Sequence, residues 1–112
     1  MHDLRSQQCS NISAEDNTLT QEDIIRLNQQ LSPPWELDAE EKSISHSYSF
    51  ENFYQTMAFV NVIAQIAHQQ DHHPGLAVSY NRCTVRYSTH SVGGLSINDF
   101  ICAAKINSAQ SL

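Results

Sequence analysis

The spacing of apolar residues changes repeatedly along the chain, and each change marks an element. Residues 1–17 are polar, rich in Ser, Asn, Gln and Asp, and show no sustained period. This predicts a loose N-terminal arm ahead of a single domain at 18–112. Thr20 followed by Asp23 has the spacing of a helix N-cap with an acidic third residue, and Ile24, Leu27 and Leu31 then share one helical face. Pro33-Pro34 ends that helix, because proline lacks an amide hydrogen and restricts the residue before it. From Ser43 to Phe50 the chain alternates strictly. Ile44, His46, Tyr48 and Phe50 point one way and Ser43, Ser45, Ser47 and Ser49 the other, which predicts a half-buried strand. Trp35–Asp38 reads as a short partner strand, with Ala39–Lys42 as the turn.

Between Glu51 and Gln70 the period becomes helical. Phe53, Met57, Val60, Ala64 and Ala67 form one stripe, widened by Phe59, Ile63 and Ile66, and no Gly or Pro interrupts it. The helix is expected to stop before His72-His73-Pro74-Gly75. Two short strands follow near Leu76–Tyr80 and Cys83–Ser88, around Asn81-Arg82 as a two-residue turn in which Asn tolerates positive φ. Gly93-Gly94 reads as a flexible joint. Ser96 and Asp99 repeat the capping pattern, and Ile97, Phe100, Ile101 and Ala104 give the last helix its apolar face. The order α-β-β-α-β-β-α predicts an α+β domain, with a four-stranded antiparallel sheet and helices packed on one face. The edges of such a sheet need cover, so self-association through an edge strand or the long helix is expected.

Composition narrows the function classes. With 112 residues, 40% of them hydrophobic and 16% charged, the chain suits one globular core. A net charge of −6 argues against sequence-independent binding to nucleic acid, which needs a basic face to neutralise phosphates, and against an anionic membrane surface. A neutral small molecule or a protein partner fits better. Cys9, Cys83 and Cys102 are widely spaced and show no CxxC pairing, so neither a disulfide framework nor a structural zinc site is expected. No apolar run approaches the ~20 residues of a membrane span, and the first residues lack a signal-peptide core. A soluble protein of the cytoplasm is the expectation.

The candidate chemistry lies in the histidines. His68, His72, His73 and His90 are four of the six, and the adjacent pair is fenced by Asp71 and Pro74. An imidazole both gives and takes protons near neutral pH, so several in one pocket suggest proton transfer or metal binding. His68 and His72 have the i, i+4 spacing of helical metal pairs, and that alternative stands if the helix runs on to His72. His68 also reads as a helix C-terminal cap, and His46 as a satisfied core or interface histidine. Asp71 is placed to orient an imidazole, Trp35 to wall an aromatic ligand or to fill the core, and Asp99 reads as a helix cap alone.

The spacings then resemble a known family. His68-x-x-x-His72-His73-Pro74, five residues to Tyr80, nine to His90 and eight to Asp99 resemble the signature of pterin-4a-carbinolamine dehydratases. The resemblance also takes in Pro34-Trp35, the aromatics Phe50, Phe53 and Phe59, Ser88-Thr89-His90, and Gly94-Leu95-Ser96-x-x-Asp99. It covers roughly residues 19–106. It implies a small α+β fold, assembled as a homodimer or homotetramer. The implied reaction removes water from a 4a-hydroxytetrahydropterin to give quinonoid dihydropterin, in the recycling that serves aromatic amino-acid hydroxylases. No metal and no redox cofactor is implied. The resemblance places catalysis on His72, His73 and His90, and pterin binding on Trp35, His68, Asp71, His73, Ser88 and Thr89. Many members carry glutamate at the position of His68, which here implies a shifted pH optimum. The family also includes protein-binding cofactors of transcription, so a non-catalytic adaptor is the rival reading.

Overall fold

The computed structural model describes residues 3–12, 19–38, 40 and 42–110. Its elements are α1 (Gln21–Gln29), β1 (Glu36–Leu37), β2 (Ile44–Ser49), α2 (Phe53–Gln70), β3 (Gly75–Val78), β4 (Arg82–Tyr87) and α3 (Ile97–Gln110), with single 3-10 turns at Leu4–Ser6 and His90–Val92. The expected order holds. The four strands form one antiparallel sheet in the order β1-β2-β4-β3, so β1 and β3 are its edges.

Local signals account for the helix starts. The Thr20 hydroxyl accepts the Asp23 amide at 3.1 Å while the Asp23 carboxylate accepts the Thr20 amide at 3.2 Å, a reciprocal capping box. Asn52 caps α2 by accepting the Gln55 amide at 2.9 Å. Alternation along the central strands sorts the two faces of the sheet. Ile44, Tyr48, Cys83, Val85 and Tyr87 are buried against the helices, while Ser47 and Thr84 share a hydroxyl hydrogen bond of 2.7 Å on the open face.

Three expectations need correction. The buried side of α2 is Thr56, Phe59, Ile63 and Ala67, whereas Phe53 is 49% exposed. The Thr56 hydroxyl explains the rotation: it lies at 2.9 Å from both the Asn52 and the Tyr80 carbonyl oxygens, so a polar residue turns inward with acceptors beside it. The β3–β4 turn is centred on Tyr80-Asn81, closed by the Ser79 amide on the Arg82 carbonyl at 2.9 Å; among the described residues Asn81 is not one of positive φ. The N-terminal pattern predicted no element, yet Leu4 is buried in the core and Leu4–Ser6 packs against α3. Residues 1, 2 and 13–17 of the expected arm, Thr18 at the expected start of the domain, and Ala39 and Glu41 of the expected turn lie outside the described residues.

Candidate active site

The site is built at the carboxyl end of α2. Asp71 adopts the left-handed conformation (φ 51°, ψ 44°), the His72 amide reaches back to the Ala67 carbonyl at 3.0 Å, and the Asp71 amide reaches the His68 carbonyl at 3.3 Å. This is the Schellman ending, with Asp in place of the usual Gly. It turns the chain sharply, so that His72 leaves the helix axis and enters the interior.

His72 is held on three sides. Its ring stacks on Tyr87 (centroids 5.1 Å apart, planes 19° apart), and the Tyr87 hydroxyl donates to the His72 carbonyl at 3.1 Å. Its Nε2 lies 2.6 Å from Oδ1 of Asp99, a carboxylate with no exposed surface. The other oxygen, Oδ2, accepts the Ser96 amide and the Thr89 hydroxyl, both at 2.9 Å, and the Thr89 and Ser96 hydroxyls meet at 2.6 Å. One carboxylate therefore starts α3, ties down the strand end before His90, and anchors an imidazole. Burial of His72 disfavours its charged form, but the hydrogen bond and charge of Asp99, with smaller contributions from Cys102 and Asp71, outweigh this and raise its pKa above the ordinary histidine value. When the ring is neutral, an Nε2–H bonded to Asp99 leaves the Nδ1 lone pair available as a base.

A cleft of about 410 Å³ opens beside this pair, within the size range of small-ligand sites. Ile63, Ala64, Ala67 and Leu76 give it apolar walls; His68, Asp71, His72 and His73 bring polar groups. His73 is exposed, one residue before Pro74, where the chain enters β3.

The expected site residues separate. His68, Asp71, His72 and His73 meet at the cleft. His90 does not line it; it begins the 3-10 turn His90–Val92, which Gly93 closes at φ 66°, and it is tied to the site through the preceding Thr89. Ser88 is exposed at the end of β4, and Thr89 is buried with its hydroxyl committed to Ser96 and Asp99. Trp35, expected as a pocket wall, is a core residue with 3% exposure. Its indole Nε1–H donates to Asn107 Oδ1 at 3.0 Å, that same oxygen accepts the Tyr48 hydroxyl, and Asn28 clamps its backbone on both sides. Asp99 is more than a cap and, rather than Asp71, is the carboxylate that orients His72; Asp71 is exposed and serves the helix ending. Tyr87 was missed altogether. Because Asp71 leaves the helical region, His68 and His72 do not share one helical face, and among the described residues no three His, Cys, Asp or Glu side chains converge as metal ligands.

The comparisons with known proteins agree with this fold. A small α+β domain with a histidine–carboxylate pair beside an apolar cleft is the class defined by fold and site. The model of the family described as pterin 4 alpha carbinolamine dehydratase matches residues 17–109, and the chain belongs to that family. A protein of Nitrosospira multiformis is 50% identical over 105 residues, covering 94% of this chain and 90% of its own. One of Legionella pneumophila (strain Corby) is 48% identical over 105 residues, covering 94% and 93%. Both carry pterin-4-alpha-carbinolamine dehydratase as a provisional name. A crystal structure from Brucella melitensis, described as a transcriptional coactivator/pterin dehydratase, has a TM-score of 0.77 at 30% identity and covers 82% of this chain and 97% of that one. A pterin dehydratase-like protein described as a RuBisCO assembly factor in the alpha-carboxysome shares the fold, with a TM-score of 0.58 at 15% identity over 66% of this chain and 86% of that one.

Proposed function

We propose that this chain dehydrates a 4a-hydroxytetrahydropterin to quinonoid dihydropterin by histidine acid–base catalysis. The observation that carries the reading is the His72–Asp99 pair on the wall of the cleft. The departing hydroxyl sits on a carbon bonded to a ring nitrogen, so that nitrogen's lone pair expels it once the oxygen is protonated. A base then collects a proton from the pterin. Substrate and products balance as pterin plus water, and no electrons are exchanged with a cofactor. His72, with its raised pKa, suits the acid role, and acid–base catalysis by one such group contributes about 10²–10⁴-fold. In this assignment His72 and His90 trade acid and base roles, His90 reaching the substrate from the turn that lies outside the cleft lining and that Thr89 ties to Asp99, and His73 orients the pterin. His68 and Asp71 contact the ring from the cleft rim, and Ser88 and Thr89 support the side that carries His90.

Residues 18–112 form the working domain in this reading, and the protein acts in the cytoplasm beside an aromatic amino-acid hydroxylase. No helix among the described residues is long and apolar enough to cross a membrane. Self-association fits the β3 edge, where Leu76 and Val78 are 40% and 41% exposed and Tyr80, in the following turn, is 63% exposed. Light scattering on the eluting protein checks this by returning a multiple of the 12.6 kDa chain mass.

The deciding experiment follows the dehydration of chemically generated 4a-hydroxytetrahydropterin by absorbance. Acceleration by the wild type, and its loss in His73→Ala and His90→Ala, is the expected result. A wild type that matches the uncatalysed rate sinks the enzyme reading and leaves the non-catalytic adaptor, a role the Brucella melitensis description pairs with dehydration.

A further inference from the structure

Cys9 and Cys102 lie 93 positions apart in the chain, yet their sulfur atoms are 3.6 Å apart. Cys102 is fully buried on α3, one turn beyond Asp99, whereas Cys9 is half-buried on the N-terminal segment. That segment is fastened on every side. The Cys9 amide donates to Gln70 Oε1 at 2.8 Å, and its thiol faces the Asn98 carbonyl at 3.6 Å. Ser10 and Asn98 exchange two hydrogen bonds of 3.2 and 2.8 Å, and the Ser91 hydroxyl donates to the Ile12 carbonyl at 2.7 Å. Residues 9–12 therefore strap together the last residue of α2, the turn that carries His90, and the first turn of α3. Those are the three elements that hold the candidate site.

We propose that Cys9 and Cys102 are a dithiol site for hydrogen peroxide, closing reversibly into a disulfide that locks residues 9–12 across the scaffold of the site. The Cys9 thiolate attacks one peroxide oxygen; the O–O bond breaks, leaving a sulfenic acid on Cys9, and the departing hydroxide takes a proton to become water. The Cys102 sulfur then attacks the Cys9 sulfur and gives up its proton, the S–O bond breaks, and a second water leaves. The two thiols lose two electrons in all and the peroxide gains them. The hydrogen bond from Cys102 favours the thiolate of Cys9 and lowers its pKa, while the same contact keeps Cys102 protonated, so Cys9 is the nucleophile and Cys102 the resolving group. Side-chain rotation has to close the gap to the ~2.05 Å of a disulfide. In a reducing compartment such a bond is transient, as a switch requires. Cys83, buried on β4, is the internal control.

The test reads thiol state and not catalysis, so its outcome is separate from that of the dehydration assay. The full chain is titrated with hydrogen peroxide, quenched with iodoacetamide under denaturing conditions, and digested without reduction. The expected product is a Cys9 peptide joined to a Cys102 peptide with the loss of two hydrogens, with Cys83 alkylated and full reversal by dithiothreitol. The cross-linked chain is expected to melt roughly 5 °C or more above the reduced one, a shift absent from Cys9→Ser. Cys9 accumulating as sulfinic acid, links between chains, links to Cys83, or thiols that all stay alkylatable overturn the site. An unchanged melting temperature in the cross-linked chain overturns the lock.

Discussion

Among the described residues, two imidazoles rest on aromatic rings, and they differ in electrostatic character. His72 stacks on Tyr87, and His46 stacks on Trp35 (6.0 Å, 26°) with the edge of Tyr48 at 4.7 Å. Burial lowers the pKa of His46, and the more distant charge of Glu36 only partly offsets it. For His72 the balance reverses, because a buried carboxylate touches the ring. An aromatic plate holds an imidazole in place; the acid behind it decides whether the ring carries a proton.

The largest effect expected from breaking this contrast is in Asp99→Asn. It keeps the shape and removes the charge that fixes the His72 tautomer, so dehydration should fall by about 10²–10⁴-fold, with the His72 limb of the pH–rate profile moved to lower pH. An unchanged profile would show that the pair is only structural.

His72→Gln measures the same pair as stability. Because the folded pKa of His72 is raised, its contribution is fully present below the unfolded value of about 6.5 and is lost as pH rises through the folded value. Urea unfolding should show the variant destabilised by roughly 1.5–3 kcal/mol under acid conditions. The gap should narrow towards alkaline pH; a constant gap refutes the linkage.

Trp35→Phe tests the plate under His46. It leaves the Asn107 acceptor with one donor fewer and should cost roughly 1–2 kcal/mol in unfolding while KM for the pterin stays put. A KM increase would return Trp35 to the pocket.

The smallest effect belongs to His46→Gln. The folded pKa of His46 is lowered, so its neutral burial favours the fold above the unfolded value of about 6.5 and loses that advantage as pH falls towards the folded one. The variant should flatten that acid loss in a denaturation series and leave the dehydration rate near wild type.

The contrast also explains what could be read in advance. Period and capping residues located α1, β2 and α3, since these signals act over a few neighbouring positions. The inward face of α2 depended on Thr56 finding the Tyr80 carbonyl 24 positions away, and the partner of His72 lay 27 positions away on Asp99. Apolar counting does not register a polar side chain whose partner arrives from another element. The histidines were visible by type, and the family spacing included Asp99, but which carboxylate faced which ring required the fold.

The three-way use of Asp99 has a consequence for inheritance and for design. A group that begins a helix, pins a loop and sets a proton's position cannot drift at one of these tasks without disturbing the other two. Substitutions at Thr89, Ser96 and His72 should therefore be strongly epistatic with one another, and the four residues together are the smallest unit that keeps the His72–Asp99 pair in place when moved to another scaffold.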